Sequence, residues 1–465
     1  MLRLEPILQI LRIPSSLHHC IRQFVLKQLY FFSLLYFIII ISCLYPILRL
    51  TKGKVGILNT NVIGHLITNT SHVLQWMQNK HSQIDKPRYL LIFAARGVCN
   101  PYLFKLIQQS LPTNVRFIRP ISYLSLKLEV AYNRILEKTR LFDEIFLDIE
   151  KCFNFTNTTF TDSYRSPTPN IDFTTIAPYF FGSLSRYRKN ILSIGYLETS
   201  HVKQVFSKIE NLKSILEVPV IGVIDRDGGF KGPHPLRDTY ISELKSVCLR
   251  LKELGYIVVR LGSRRIEPLD KTFADIDVSS LGLPKQIRAA IDIEIMNHLD
   301  FCISWKTGYR EVALLNEVPS IMLDEFYGND KDNCKYLPAT YFHTFEKRTV
   351  LVPEMIYRYG IDFEDDRALF STFRRMPIEV DLVISALNAL RSKNFFEAEE
   401  SRSLLEAYTR SLQVGIEKWH DTPLRETPVY KWNLRRLLND LSKKPLTIDE
   451  SFLVSKSILI RQLNF

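Results

Sequence analysis

The chain has 465 residues, 46% of them hydrophobic and 24% charged, which allows two domains of ordinary size and excludes a disordered chain. A net charge of +12 suits an anionic partner, but the basic residues (Arg264-Arg265, Lys347-Arg348, Arg374-Arg375, Arg435-Arg436, Lys443-Lys444) are interleaved with acids, with no arm, finger or RNP-like motif, which argues against nucleic acid. The 7 cysteines are far apart and include no CxxC pair, so they read as reduced thiols in a reducing compartment rather than as disulfides or a zinc site.

Residues 1–52 read as an anchor. Gln28 to Leu48 carries no charged side chain and has roughly the length that crosses a hydrocarbon core of about 30 Å as a helix. Tyr30, Tyr36 and Tyr45, with the flanking Lys27, Arg49, Lys52 and Lys54, supply interfacial groups, and basic residues on both sides favour a membrane helix over a buried core helix. Leu4 to Leu26 reads as an amphipathic helix along a negatively charged leaflet. The apolar run is too long and too far from the start for a cleaved signal peptide. The expected location is therefore the membrane, with the body on the cytoplasmic side.

Residues 53–195 alternate strand and helix periods at the spacing of parallel βαβ units. Lys54 to Leu58 predicts a strand, followed by the polar turn Asn59-Thr60-Asn61 and Gly64-His65 and a helix to about Gln78. Tyr89 to Ala94 predicts the next strand, Pro101 to Leu111 a helix and Val115 to Ile118 a third strand. The stretch 152–190 is rich in Asn, Thr, Ser and Pro with interspersed aromatics, a loop long enough to be functional or disordered. His65 follows a glycine in the first βα loop, where a neutral imidazole is suited to take a proton near pH 7, and Asn59, Asn61 and Gly64 stand beside it as weaker acceptor contacts. A structural or orienting role is the alternative for a lone histidine.

Residues 196–365 form a second domain after a predicted helix over Leu197 to Leu216. Three of its strands end in polar and glycine groups: Arg226-Asp227-Gly228-Gly229, Arg260-Leu261-Gly262, and Trp305-Lys306-Thr307-Gly308 before a helix over Tyr309 to Leu315. Open α/β sheets bind ligands outside the carboxyl ends of their strands. There is neither a Walker lysine motif nor an intact GxGxxG, so a P-loop NTPase and a dinucleotide oxidoreductase are not supported. Arg226 offers a planar fork for phosphate, with an Arg-Asp pair that pins the loop as the alternative. Thr307 and Gly308 open a helix as an anion turn or a plain cap, Lys306 adds charge, and Glu311 is placed to accept from a sugar hydroxyl. Arg260 faces the same crevice by topology, while Asp277 and Asp292 read as structural partners of the arginines. The tail, 366–465, becomes helical after Pro377, and Thr447-Ile448-Asp449-Glu450 is a capping-box pattern before a last helix.

Taken together, VIGHL, DRDGGF, ELGYIVVRLGS, ADIDVSS, AIDIEIMNHLDFCIS and TGYREVALLNEVPSIML resemble the bacterial glycosyltransferases of surface-carbohydrate loci. The Arg-Asp after a strand is also similar to the phosphate region of fucosyltransferase-like enzymes. The resemblance runs from about Val55 to Phe363. It implies an α/β fold of the GT-B type: two Rossmann-like domains facing across a cleft, with an N-terminal membrane helix and a C-terminal helical tail added by this chain. It further implies a nucleotide-sugar in the second domain, held by Arg226 at the diphosphate and by Thr307 and Gly308 below it, and a lipid-linked or cell-surface glycan acceptor in the first. Thr307-Gly308, preceded by Trp305-Lys306, replaces the Ser-Gly usual at this turn. No metal and no cofactor beyond the nucleotide-sugar co-substrate is expected, since arginine, lysine and a helix terminus are able to stabilise a leaving diphosphate. A membrane-tethered, non-catalytic scaffold of the same fold and a sugar-nucleotide epimerase-like enzyme are the alternatives.

Overall fold

The computed structural model describes residues 15–59, 66–67, 70, 88–95, 100–111, 113–118, 207–211, 214, 217–226, 234–262, 268–305, 307–316, 318–324, 334–360, 367–392, 399–420, 446, 448–463. The chain divides into two compact units: Met1–Asn100 with Ile107–Asn157, and Pro101–Leu106 with Thr158–Phe465.

In the first unit, α1 (Ser15–Leu50) is a single helix that merges the two helical segments expected over residues 4–48. Its last turn closes where the Thr51 amide and hydroxyl both donate to the Ile47 carbonyl, at 2.9 and 2.7 Å. Lys52 then turns the chain with φ 50° into β1 (Gly53–Asn59). At Gly53 a Cβ would stand 2.7 Å from Leu48 Cδ2, so a larger residue there would displace that leucine side chain. Ile41 and Leu48 are buried, so the helix is not apolar toward its surroundings on every side. Among the described residues no helix is long and apolar enough to cross a membrane, and the spanning segment expected at Gln28 to Leu48 has no support in the structure. β1 pairs in parallel with β2 (Tyr89–Ala95), and β2 with β3 (Val115–Ile118), within a residue or two of the predicted strands. The α2 helix (Pro101–Ser110), whose residues Pro101–Leu106 are counted with the second unit, opens on proline, whose fixed φ suits a first helical position.

The second unit is built on a six-stranded, wholly parallel sheet in the order β6-β5-β4-β7-β8-β9. These are β4 (Val220–Ile224), β5 (Ile257–Leu261), β6 (Ile276–Asp277), β7 (Phe301–Ser304), β8 (Ser320–Leu323) and β9 (Cys334–Leu337). Counted from β4, the order is 3-2-1-4-5-6, the doubly wound arrangement whose direction of winding reverses between its first and fourth strands. Strands covered on both faces are predominantly apolar, and VIGVI and IVVRL are buried at every position, Arg260 included. Gly222 lets Leu299 cross the central strand, since a Cβ there would lie 2.3 Å from Leu299 Cδ1.

The helix α3 (Ile241–Glu253) buries Leu244, Val247, Cys248 and Leu251 at helical spacing. Two further helices, α4 (Lys285–Glu294) and α5 (Arg310–Leu315), precede β7 and β8. A three-stranded antiparallel sheet, β11-β10-β12, is made of β10 (Thr340–His343), β11 (Arg348–Leu351) and β12 (Phe373–Arg375). The C-terminal helices α6 (Val352–Tyr359), α7 (Val380–Ser392), α8 (Glu399–His420), α9 (Glu450–Ser455) and α10 (Ser457–Arg461) follow.

These helices do not form a tail of their own. Leu382, Leu387, Leu404, Tyr408, Leu412 and Phe452 belong to the same buried cluster as Ile221, Val223, Ile303 and Ile321 of the sheet. The cap of the last helices also lies two residues beyond the expected Thr447: Asp449 is the N-cap and accepts from the Ser451 amide at 3.0 Å, while Thr447 is outside the described residues.

Candidate functional site at the carboxyl edge of the parallel sheet

The site is defined by β4 and β7, which are adjacent although three strands apart in sequence order, with Ile224 level with Ser304. Their chains leave the sheet together. The Trp305 amide donates to the Ile224 carbonyl at 2.9 Å, and two residues beyond each of these stand Arg226 on one loop and Thr307 on the other. Connections on opposite faces of the sheet part at such a point and leave a crevice at the strand ends.

Asp225, the first residue after β4, is buried and belongs to the sheet rather than to the crevice. Its Oδ1 accepts from Arg260 Nε at 2.9 Å, and Arg260 Nη1 reaches Asp277 Oδ1 at 3.2 Å and donates to the Ser279 hydroxyl. Arg260 has 1% of its side chain exposed, so the expectation that it faces a ligand is not met: a guanidinium inside a fully buried parallel strand has to find carboxylates, and it finds two. Burial pulls its pKa down, and Asp225 and Asp277 more than offset that pull, which leaves it raised. The structural pairing expected for Asp277 is the one observed.

Arg226 is half-buried. Its backbone is fixed by Thr239, whose hydroxyl accepts from the Arg226 amide at 3.0 Å and whose amide donates to the Arg226 carbonyl at 2.8 Å. Its Nε lies 3.5 Å from Asp238 Oδ1, and the other oxygen of Asp238 accepts from the His234 amide at 2.6 Å. The Arg-Asp pair weighed as the alternative thus exists, with Asp238 as the acid, and the side chain keeps 23% exposure. An arginine so held is oriented and partly exposed.

On the β7 side, Trp305 is fully buried, and its indole nitrogen donates to Glu243 Oε1 at 3.4 Å. Thr307, Gly308 and Tyr309 are half-buried. The Thr307 hydroxyl accepts from the Tyr309 amide at 3.2 Å, the turn geometry of a short polar side chain before a helix. Tyr309 donates its phenol to Asp292 Oδ2 at 3.1 Å, and the other Asp292 oxygen accepts from the Gly262 amide at 3.4 Å. Asp292 therefore connects the loop after β5 to the turn after β7, where a partner arginine was expected. Burial pushes its carboxyl up to about 7, against the lowering pull of the Gly262 amide, the Tyr309 hydroxyl and the Arg288 charge. Gly262 has φ +103°, a conformation open to glycine and strained for other residues.

Arg375, read from the sequence as one of several dispersed basic residues, is the buried cation beneath this edge. Its guanidinium donates to both oxygens of Glu243, lies 3.1 Å from Asp324 Oδ2, donates to the Asp238 carbonyl at 3.1 Å and stacks on Tyr240 at 4.9 Å. Burial lowers its pKa, but Asp324 and Glu243 outweigh that and hold it raised. The segment carrying Asp238, and through it Arg226, is thereby tied to β12. The sequence signal was the alternation in β12, where Phe373 and Arg375 point inward and Arg374 outward.

Asn61, Gly64, His65, Asp227, Gly228 and Lys306 lie outside the described residues; Asn59 ends β1 and Glu311 lies in α5, with side chains outside that description. Among the described residues no group of three or more His, Cys, Asp or Glu is placed to hold a metal ion.

No protein-family profile matches the chain, and no curated protein matches it significantly. Among solved structures, it is similar to the iron-containing dodecameric glycosyltransferase TibC of enterotoxigenic E. coli at 14% identity and a TM-score of 0.31, over 62% of this chain and 61% of that one, less than two thirds of TibC's length. A glycosyl transferase family 9 protein of Veillonella parvula matches at 14% identity and a TM-score of 0.33, over 73% of this chain and 98% of that one. The E. coli heptosyltransferase WaaC with ADP matches at 14% identity and a TM-score of 0.30, over 62% and 91%.

Proposed function

We propose that the crevice at the ends of β4 and β7 binds the diphosphate of a nucleotide-sugar, and that the chain is a glycosyltransferase acting on a lipid-linked or cell-surface glycan acceptor without requiring a metal. The observation that carries the binding step is the strand reversal at the carboxyl ends of β4 and β7, with Arg226 two residues along one loop and the Thr307–Gly308 turn on the other. The sugar-transfer step is supported by the sequence blocks that resemble bacterial glycosyltransferases.

In this reading an acceptor hydroxyl oxygen attacks the anomeric carbon, the bond from that carbon to the diphosphate breaks, and the diphosphate departs with the bonding pair. Arg226 donates to the phosphate oxygens as their charge grows, joined by the backbone amides and hydroxyl of the Thr307–Gly308 turn and by Lys306, while Glu311 accepts from a sugar hydroxyl. His65 is assigned to take or orient the proton of the acceptor, with Asn59, Asn61 and Gly64, its neighbours in sequence, as weaker acceptor contacts. Asp227 and Gly228, which follow Arg226 in sequence, and Gly262 on the neighbouring loop are the remaining donor-side residues of this reading.

The test is nucleoside-diphosphate release from a panel of nucleotide-sugars by the full chain supplied with bacterial glycolipid acceptors. Arg226→Ala is expected to lower turnover by roughly 10²- to 10³-fold, as the loss of one donor to developing charge does. Turnover unchanged by Arg226→Ala would remove the proposal.

A further inference from the structure

We infer that α1 docks the chain on the surface of an anionic lipid bilayer, lying at the interface without crossing it. Two independent observations point there. The first is exposure: of the large hydrophobic side chains that stand exposed among the described residues, Phe31, Phe32, Leu35, Ile38, Ile39, Ile47 and Leu50 all lie on this one helix. The remainder, such as Tyr89, Leu249, Leu281 and Phe345, are dispersed. Phe31 and Phe32 are 57% and 53% exposed and Leu50 is 85% exposed, while Ile41 and Leu48 face inward and fix which side of the helix is turned out. A concentration of that kind marks an interaction surface, because isolated apolar residues are ordinary and clustered ones are not.

The second observation is charge. Between Glu5 and Asp85 there is no carboxylate at all, whereas Arg12, Arg22, Lys27, Arg49, Lys52, Lys54 and Lys80 fall in the same stretch. This one stretch of sequence, which includes the apolar helix, thus carries seven positive charges and no negative one, out of a net +12 for the chain. This decides the occupant. A second copy of the helix would bring an equal set of cations and no acid to meet them. A surface of phosphate headgroups over hydrocarbon meets both the basic residues and the exposed phenylalanines and isoleucines, and attraction to such a surface grows with each nearby Lys or Arg. Docking is independent of the proposed nucleotide site, which lies in the other unit.

The experiment is flotation of the purified full chain with vesicles of phosphatidylcholine alone and of phosphatidylcholine with phosphatidylglycerol, without nucleotide. The inference predicts flotation with the anionic vesicles, release by high salt or alkaline carbonate, and little binding to the neutral ones. Phe31→Glu with Phe32→Glu should reduce anionic binding at least tenfold, and Lys52→Glu, at an exposed position beyond the helix, should weaken it without changing the unfolding temperature. Three outcomes overturn it: equal binding to neutral vesicles that resists carbonate, which means a spanning helix; self-association through α1 with no vesicle binding; or no binding to either vesicle.

Discussion

The amide of Trp305 donates to the carbonyl of Ile224 across 2.9 Å, joining the last residue of β4 to the first residue after β7. These two strands are the first and fourth of the sheet in chain order, so this bond lies at the point where the winding reverses. From it one loop carries Arg226 away and the other carries Thr307 and Gly308. In the proposed function a phosphate at this edge meets the Arg226 guanidinium and the amides of the turn before α5. The surrounding ion pairs hold the loops in place.

Arg260 belongs to that support. Arg260→Met leaves Asp225 and Asp277 buried without their cation, and breaking a buried pair from one side costs about 3–5 kcal/mol. Urea unfolding of the variant should show a loss of that size. A loss below about 1 kcal/mol, the value of an exposed pair, would show that the network is not buried in solution.

Gly262 supports the site by conformation. At φ +103° an alanine is strained, yet the nearest atoms to its Cβ would be Ile224 Cγ2 at 3.7 Å and the Asp225 carbonyl oxygen at 3.9 Å, which is ordinary contact. Gly262→Ala should therefore destabilise by about 1–3 kcal/mol through backbone strain alone. Thermal unfolding measures it, and an unchanged midpoint would contradict the backbone geometry of this loop.

Asp292 makes stability depend on pH with a particular sign. Its carboxyl is raised to about 7 in the folded chain, so the folded state holds a proton that the unfolded state gives up near pH 4. This group's contribution is fully present below about pH 4 and is lost as pH rises to about 7, a change of up to about 4 kcal/mol. Asp292→Asn should flatten that part of the stability profile and raise stability at pH 8 relative to the native chain. The same slope in both chains would exclude Asp292 as its source.

Much of this architecture was legible in the residues. The strands from Lys54 to Ile118 and from Val218 to Ser304 fell within a residue or two of the observed ones, because parallel strands are continuous apolar runs closed by polar turns. Arg226, Thr307 and Gly308 were readable for the same reason, since they punctuate the ends of such runs. Arg260 was misread because a charge near a strand end looks the same in sequence whether it faces solvent or two carboxylates from neighbouring strands; only the β4-β5-β6 register decides it. The β10–β12 sheet was missed because its strands span three or four residues each, too short for a period to show. Arg375 was lost with it, hidden beside the exposed Arg374. The C-terminal helices were legible as helices but not as part of the sheet's core, because an amphipathic stripe does not name the surface it covers.

The central claim is that Arg226 binds a diphosphate at the β4–β7 edge, and calorimetric titration of the full chain with nucleoside diphosphates tests it most directly. A charge-assisted hydrogen bond contributes about 1.5–3 kcal/mol, so Arg226→Ala should weaken the preferred nucleotide by roughly 10-fold or more. Its unfolding temperature should hardly move, because the pair it forms with Asp238 is partly exposed. Equal affinity in the variant, or no binding of any nucleoside diphosphate by the native chain, would contradict the account.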